Sequence, residues 1–89
     1  MAYRKPFTPS QRQEAVRAYR SYRKHRSLMR RRYPALDEAQ TRVLEQYDVA
    51  LRTLVEILKR PDRKINVDAL NRADALARWA AMEYWRLRS

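Results

Sequence analysis

A basic segment dominates the first third of the chain. Residues 19–34, YRSYRKHRSLMRRRYP, contain seven arginine and lysine side chains, three tyrosines and one histidine, but no acid. Guanidinium and ammonium groups that no carboxylate neutralises bind phosphate oxygens, and arginine does so through two parallel hydrogen bonds. These residue types therefore point to the binding of a polyanion.

The spacing of the cations places them on two adjoining faces of a helix. At about 100° per residue, four of them fall within about 60° of arc, and three more form a row along one flank. A rigid rod that carries its cations on one surface suits a phosphate backbone, which presents charges at regular spacing. The predicted nucleic-acid-binding residues are Arg17, Arg20, Lys24 and Arg31 on the face, and Arg12, Arg23 and Arg30 on the flank.

The charge of the whole chain agrees with this prediction but leaves a second interpretation open. The sequence has 21 lysine and arginine residues against 10 acids, and residues 1–33 hold eleven of the cations with Glu14 as their only acid. A surplus confined to one third of a chain produces a local positive field. The alternative is a face that only keeps a small domain in solution. Such faces usually mix both signs, as Glu45, Asp48 and Arg52 do further along the chain.

Capping residues and prolines divide the chain into three helices. Thr8 is a good N-cap with a glutamine three residues on, which is the capping-box pattern, and Pro34 ends the first helix. Asp37 is a plausible cap for the second helix, which Pro61 ends, and Asn66 opens the third. The positions of all three helices thus follow from local signals.

The predicted fold is all-α. We expect a single antiparallel three-helix bundle over residues 8–89, preceded by a short, flexible basic arm at residues 1–7. The helices are predicted at about 9–33, 38–60 and 67–88. Each has an apolar stripe, which is broad in the second helix and rich in alanine in the third, so that helices can approach closely. Three helices of similar length joined by short links fit this architecture.

The face of the first helix opposite the cations is apolar except for one arginine. Tyr19, Tyr22 and Tyr33 lie on that face, so we assign them to the core rather than to base stacking. Arg26 points in the same direction, where an unpaired charge is costly. We expect its guanidinium to reach a carboxylate of the second or third helix, or to stack on a tyrosine.

A second candidate surface lies on the third helix. Trp79, Met82 and Trp85 fall beside its alanine stripe rather than on it. Large apolar side chains near a polar arc can mark a protein-binding or dimer surface. The alternative is that these rings wrap the bundle or lie over the stems of neighbouring arginines. The sequence leaves both open.

Several kinds of chemistry are not expected. His25 is the only histidine, its neighbours are cations, and no carboxylate lies near it in sequence to orient it as a base. Because the chain has no cysteine or glycine, it offers no thiolate metal site and no glycine-rich phosphate loop. We therefore predict no enzyme activity, catalytic residue, metal, cofactor or small-molecule substrate. We also expect no membrane association and a cytoplasmic location, since there is no long apolar run and no signal-peptide pattern.

The function expected from the sequence is that of a small accessory protein that contacts the backbone of DNA or RNA through its first helix, with little sequence readout. An alternative of another class is a small protein-binding modulator, for example a phage-type inhibitor of a host defence or transcription complex. It would dock its basic helix or its tryptophan surface on an acidic protein surface or a larger complex. A homodimer, or a structural component of an assembly, also stays open.

Overall fold

A computed structural model describes residues 7–89, and this part of the chain folds into three α-helices without strands. Helix α1 spans Pro9–Arg32, α2 spans Glu38–Leu58 and α3 spans Val67–Arg88, with a single 3-10 turn at Asp62–Lys64 before α3. Adjacent helices run in opposite directions, so α1 and α3 are parallel to each other. The predicted all-α three-helix bundle is confirmed. The predicted basic arm lies, except for its last residue, outside the described residues.

The predicted caps are the ones that the structure uses. The backbone N–H of Gln11 donates to the Thr8 hydroxyl (3.1 Å), and the Thr8 N–H donates to the Gln11 side chain (2.8 Å). Asp37 and Asn66 each accept from the backbone N–H three residues on, which fixes the starts of α2 and α3. Helix α2 ends two residues earlier than predicted, with Leu58 as its last residue and Lys59 as its C-cap, and Pro61 follows two residues after this cap.

Phe7, assigned from the sequence to the flexible arm, belongs to the core. Its side chain is buried, and the Arg12 guanidinium lies 5.8 Å from the centre of its ring. Phe7 precedes the N-cap of α1, and an apolar side chain at this position commonly folds back onto the first turns of its helix. The phenylalanine therefore fastens the start of α1 to the bundle.

The core is built mainly between α2 and α3. The alanine stripe of α3, which includes Ala73, Ala77 and Ala80, is buried and lets this helix approach α2 closely. Tyr47 of α2 and Tyr84 of α3 are fully buried and fill the space beside these small residues. The pair of helices forms a platform for α1.

Helix α1 contacts this platform through a narrow strip of its surface. Met29 is its only fully buried residue, while Ala15, Tyr19 and Tyr22 are half-buried against the core. Most of the surface of α1 therefore faces solvent, which leaves all its cations except Arg12 and Arg26 exposed. No helix within residues 7–89 has the length and apolar content required to cross a bilayer.

Candidate nucleic-acid interface

The four cations predicted to share one face of α1 are all exposed. In the described part of the chain, none of them forms a salt bridge or a side-chain hydrogen bond. Arg17 and Arg31 mark the ends of this set and lie about 21 Å apart along the helix axis, at 1.5 Å per residue. That distance corresponds to about six phosphates of one strand at 3.4 Å spacing. We call Arg17, Arg20, Lys24 and Arg31 the basic face.

The flank of α1 contains two arginines that are exposed and one whose side chain is bonded within the fold. Arg23 and Arg30 are exposed and border the cleft between α1 and α2. Arg12 instead donates to the carbonyl oxygens of Leu58 (2.7 Å) and Arg60 (2.6 Å) and forms a salt bridge with Asp62. The Arg12 side chain thus caps the last carbonyls of α2.

The role of Arg12 is consequently structural. A helix end leaves its last carbonyl groups without intrahelical partners, and a guanidinium can satisfy them while favouring the negative end of the helix dipole. Since three of its five donors are used within the fold and its charge is paired with Asp62, Arg12 is not part of the interface that we propose below. The sequence could not reveal this, because its partners lie 46 to 50 residues further along the chain.

Arg26 reaches a carboxylate of α2, which is one of the three alternatives expected from the sequence. Its guanidinium donates through Nε to Asp48 Oδ1 (2.9 Å) and through Nη2 to Asp48 Oδ2 (3.2 Å). The Arg26 side chain is only 13% exposed, so this two-pronged pairing neutralises a charge that is largely removed from water. The pair fixes α1 against α2 within the cleft between the two helices.

His25 connects α1 to both other helices. Trp85 Nε1 of α3 lies 3.3 Å from His25 Nε2, and the Tyr47 hydroxyl of α2 lies 3.3 Å from His25 Nδ1. An indole N–H can only donate, so Nε2 is the acceptor and the proton of the neutral ring sits on Nδ1. The Tyr47 hydroxyl oxygen therefore accepts a hydrogen bond from His25 Nδ1–H, and the Tyr47 hydroxyl donates one to the Tyr22 carbonyl (3.1 Å). The side chains of Trp85, His25 and Tyr47 thus donate hydrogen bonds in sequence, and the last is accepted by the Tyr22 carbonyl.

The hydrogen bonds of His25 lead us to expect a loss of stability in mild acid. Burial lowers the pKa of His25 below its ordinary 6.5. The unfolded chain therefore takes up a proton near pH 6.5 that the folded protein resists, and stability falls as the pH decreases through this value. Protonation also removes the acceptor for Trp85.

We expect the melting temperature of the wild type to decrease between about pH 7.5 and 5.5, and this decrease to be smaller in His25→Gln. The glutamine amide keeps a donor and an acceptor but does not titrate in this range. Circular dichroism melts of both proteins in matched buffers measure the difference. If the melting temperatures of the two proteins fell in parallel with pH, His25 would contribute nothing to the loss of stability in acid.

The predicted tryptophan surface is only partly free. Trp85 packs edge-on against Tyr33, with ring centres 4.9 Å apart, and lies 5.8 Å from the His25 ring. It therefore helps to hold α3 to the end of α1. Trp79 and Met82 are 50% and 69% exposed, with no comparable aromatic contact in the described chain. These two residues form the remaining apolar surface of α3.

Within residues 7–89 no three histidine, cysteine, aspartate or glutamate residues are grouped closely enough to hold a metal ion. The prominent chemical feature is the set of exposed cations on α1. Comparison of the chain with protein-family models, curated protein sequences and solved structures finds no match. Function is therefore inferred from the side chains themselves.

Proposed function

We propose that the protein binds nucleic acid by contacting its phosphate backbone with α1. The observation that supports this most strongly is the exposure of six cations on adjoining sides of one helix, none of which pairs with a carboxylate of residues 7–89. Unpaired like charges repel each other, and a polyanion relieves that repulsion while releasing its own counterions. These six are the basic face together with Arg23 and Arg30.

The composition of this surface favours backbone contact over sequence readout. Specific recognition of bases requires several side chains that match donor and acceptor patterns in a groove, such as asparagine or glutamine on adenine. On α1 the neutral polar side chains between the cations are few, with Gln13 and Ser27 as the main examples. We therefore expect similar affinities for different sequences of the same form of nucleic acid.

Salt dependence is the test of this function. Fluorescence anisotropy would be measured with labelled duplex DNA, single-stranded DNA and RNA. With about six phosphate contacts, the logarithm of the binding constant should fall with the logarithm of salt concentration with a slope of about −5 on duplex DNA, and binding should weaken by roughly a thousandfold between about 50 and 200 mM. Binding that does not change over this range, or no binding at about 50 mM salt, would contradict the proposal.

A second candidate function is favoured by the exposure of Trp79 and Met82. Apolar side chains of this size that stay half or more exposed can anchor a protein partner. The protein would then dock on a larger complex, or on a second copy of itself, through α3. Trp79→Ser with Met82→Ser should abolish self-association in sedimentation experiments or capture of a partner, and should leave oligonucleotide binding unchanged.

A further inference from the structure

The cleft between α1 and α2 is bordered by three exposed arginines. Arg23 and Arg30 reach it from α1, and Arg52 reaches it from α2. None of the three forms a salt bridge with the acids of residues 7–89. Five donors are carried by each guanidinium, so the borders of the cleft present donors from two sides.

Arg52 lacks a carboxylate partner for a structural reason. Asp48 lies one turn before it on α2, at a spacing that commonly gives a salt bridge. In the structure both oxygens of Asp48 are taken by Arg26 from across the cleft. The one carboxylate that lines the cleft is thus already neutralised, and the charges of Arg23, Arg30 and Arg52 remain in excess.

The interior of the cleft also suits an anion. Its volume is about 470 Å³, which is enough for a phosphate group with part of its sugar. Tyr19 and Ser27 are among the lining residues, together with the apolar Leu51 and Val55.

We propose that this cleft seats one phosphate group of the nucleic-acid backbone between Arg23 and Arg30 on one side and Arg52 on the other. The inference rests on the proposed function and extends it, because it brings α2 into the interface. The two non-bridging oxygens of a backbone phosphate point in different directions, so guanidinium groups from two helices can bind it together. The bound strand would then run from the basic face of α1 over its flank into the cleft.

The substitution Arg52→Gln tests the seat outside α1. We expect it to weaken oligonucleotide binding by about tenfold at about 100 mM salt. The slope of the logarithm of the binding constant against the logarithm of salt concentration should become less negative by about 0.9, the value for one phosphate contact. Arg72→Gln is the matched control, since Arg72 is an exposed arginine of α3 that does not line the cleft and has no salt bridge within the described chain. The control should change the affinity by less than about twofold.

A double variant tests whether two arginines share one phosphate. If Arg23 and Arg52 bind the same group, removing either one already weakens that contact. The variant with both changed to glutamine should then lose less affinity than the product of the two single losses. Losses that multiply would mean separate phosphates and would overturn the shared seat.

The outcomes separate this inference from the proposed function. If the wild type binds but Arg52→Gln matches Arg72→Gln, the seat is wrong while the function stands. If no oligonucleotide binds, inorganic pyrophosphate is added and the Nε–H signals of the arginines are followed by NMR. Shifts at Arg23, Arg30 and Arg52 would keep an anion site but reject nucleic acid as its source. Unchanged signals would reject the site as well.

Discussion

Charge reversal at Arg20 and Lys24 should weaken nucleic-acid binding by at least about a hundredfold and leave the bundle folded. These residues lie one turn apart near the middle of the basic face, and both are exposed. The variant Arg20→Glu with Lys24→Glu removes two phosphate contacts and places two negative charges against the backbone. We expect the affinity to fall by at least about a hundredfold at about 100 mM salt, because each lost contact also forgoes counterion release. Anisotropy titrations against the wild type measure the change.

A control with the same change in composition is available in the 3-10 turn before α3. Arg63 and Lys64 are exposed and lie outside the salt bridges of the described residues. Reversing both charges alters the net charge by the same amount but leaves α1 intact. This control should lose only a few-fold in affinity, since neither residue belongs to α1 or lines the cleft between α1 and α2. Equal losses in both variants would show that binding follows net charge rather than the basic face.

The stability of the first variant is expected to stay close to that of the wild type. Surface substitutions away from buried contacts usually change the free energy of unfolding by less than about 0.5 kcal/mol. Since Arg20 and Lys24 have no partner within residues 7–89, no interaction is broken when they are replaced. A urea melt of the variant checks this, and it ensures that lost binding is not caused by unfolding.

The helix positions could be predicted because their signals are local. The side chains of the N-caps each accept a hydrogen bond from the backbone N–H three residues on, so both partners lie within one turn of sequence; these caps are Thr8, Asp37 and Asn66. Prolines at 34 and 61 limit the preceding helices in the same local way. Even here the structure adds a correction, since α2 ends at Leu58.

The functional assignment of individual arginines could not be predicted equally well. Arg12 and Arg23 lie on the same flank in the helical projection, yet only Arg23 is exposed. The difference arises because the end of α2 passes beside Arg12, and no local pattern encodes that contact. For Arg52 the error has the opposite sign, because the sequence did not mark it as a binding residue. Its neighbouring acids indicated an ordinary mixed surface, whereas the tertiary structure gives Asp48 to Arg26.

The tryptophan surface shows a similar limit. The helical projection of α3 correctly sets Trp79, Met82 and Trp85 apart from the alanine stripe. It does not show that the end of α1 lies against Trp85, with Tyr33 and His25 as ring neighbours. A periodic pattern identifies which side of a helix is apolar, but the neighbouring helix decides how much of that side stays uncovered.

Replacement of Tyr47 by alanine should cause a large loss of stability. Its side chain is fully buried, its ring lies edge-on to that of Tyr22, and its hydroxyl bonds to His25 and to the Tyr22 carbonyl. Truncating a buried aromatic residue costs about 3–5 kcal/mol through lost burial and the cavity left behind. A small domain has only about 5–15 kcal/mol in total, so the variant should be near its unfolding threshold.

The conservative variant Tyr47→Phe separates the ring from its hydroxyl. It fills the same space but leaves the His25 Nδ1–H without its acceptor, which should cost about 1–2 kcal/mol. Urea unfolding followed by circular dichroism gives both values, and equal losses for alanine and phenylalanine would contradict the packing role of the ring. Because Tyr47 holds α1 to α2 from within the core and touches none of the exposed cations, Tyr47→Phe should keep full nucleic-acid affinity. A folded Tyr47→Phe protein with weakened binding would instead show that the position of α1 on its platform, and not its charge alone, sets the affinity.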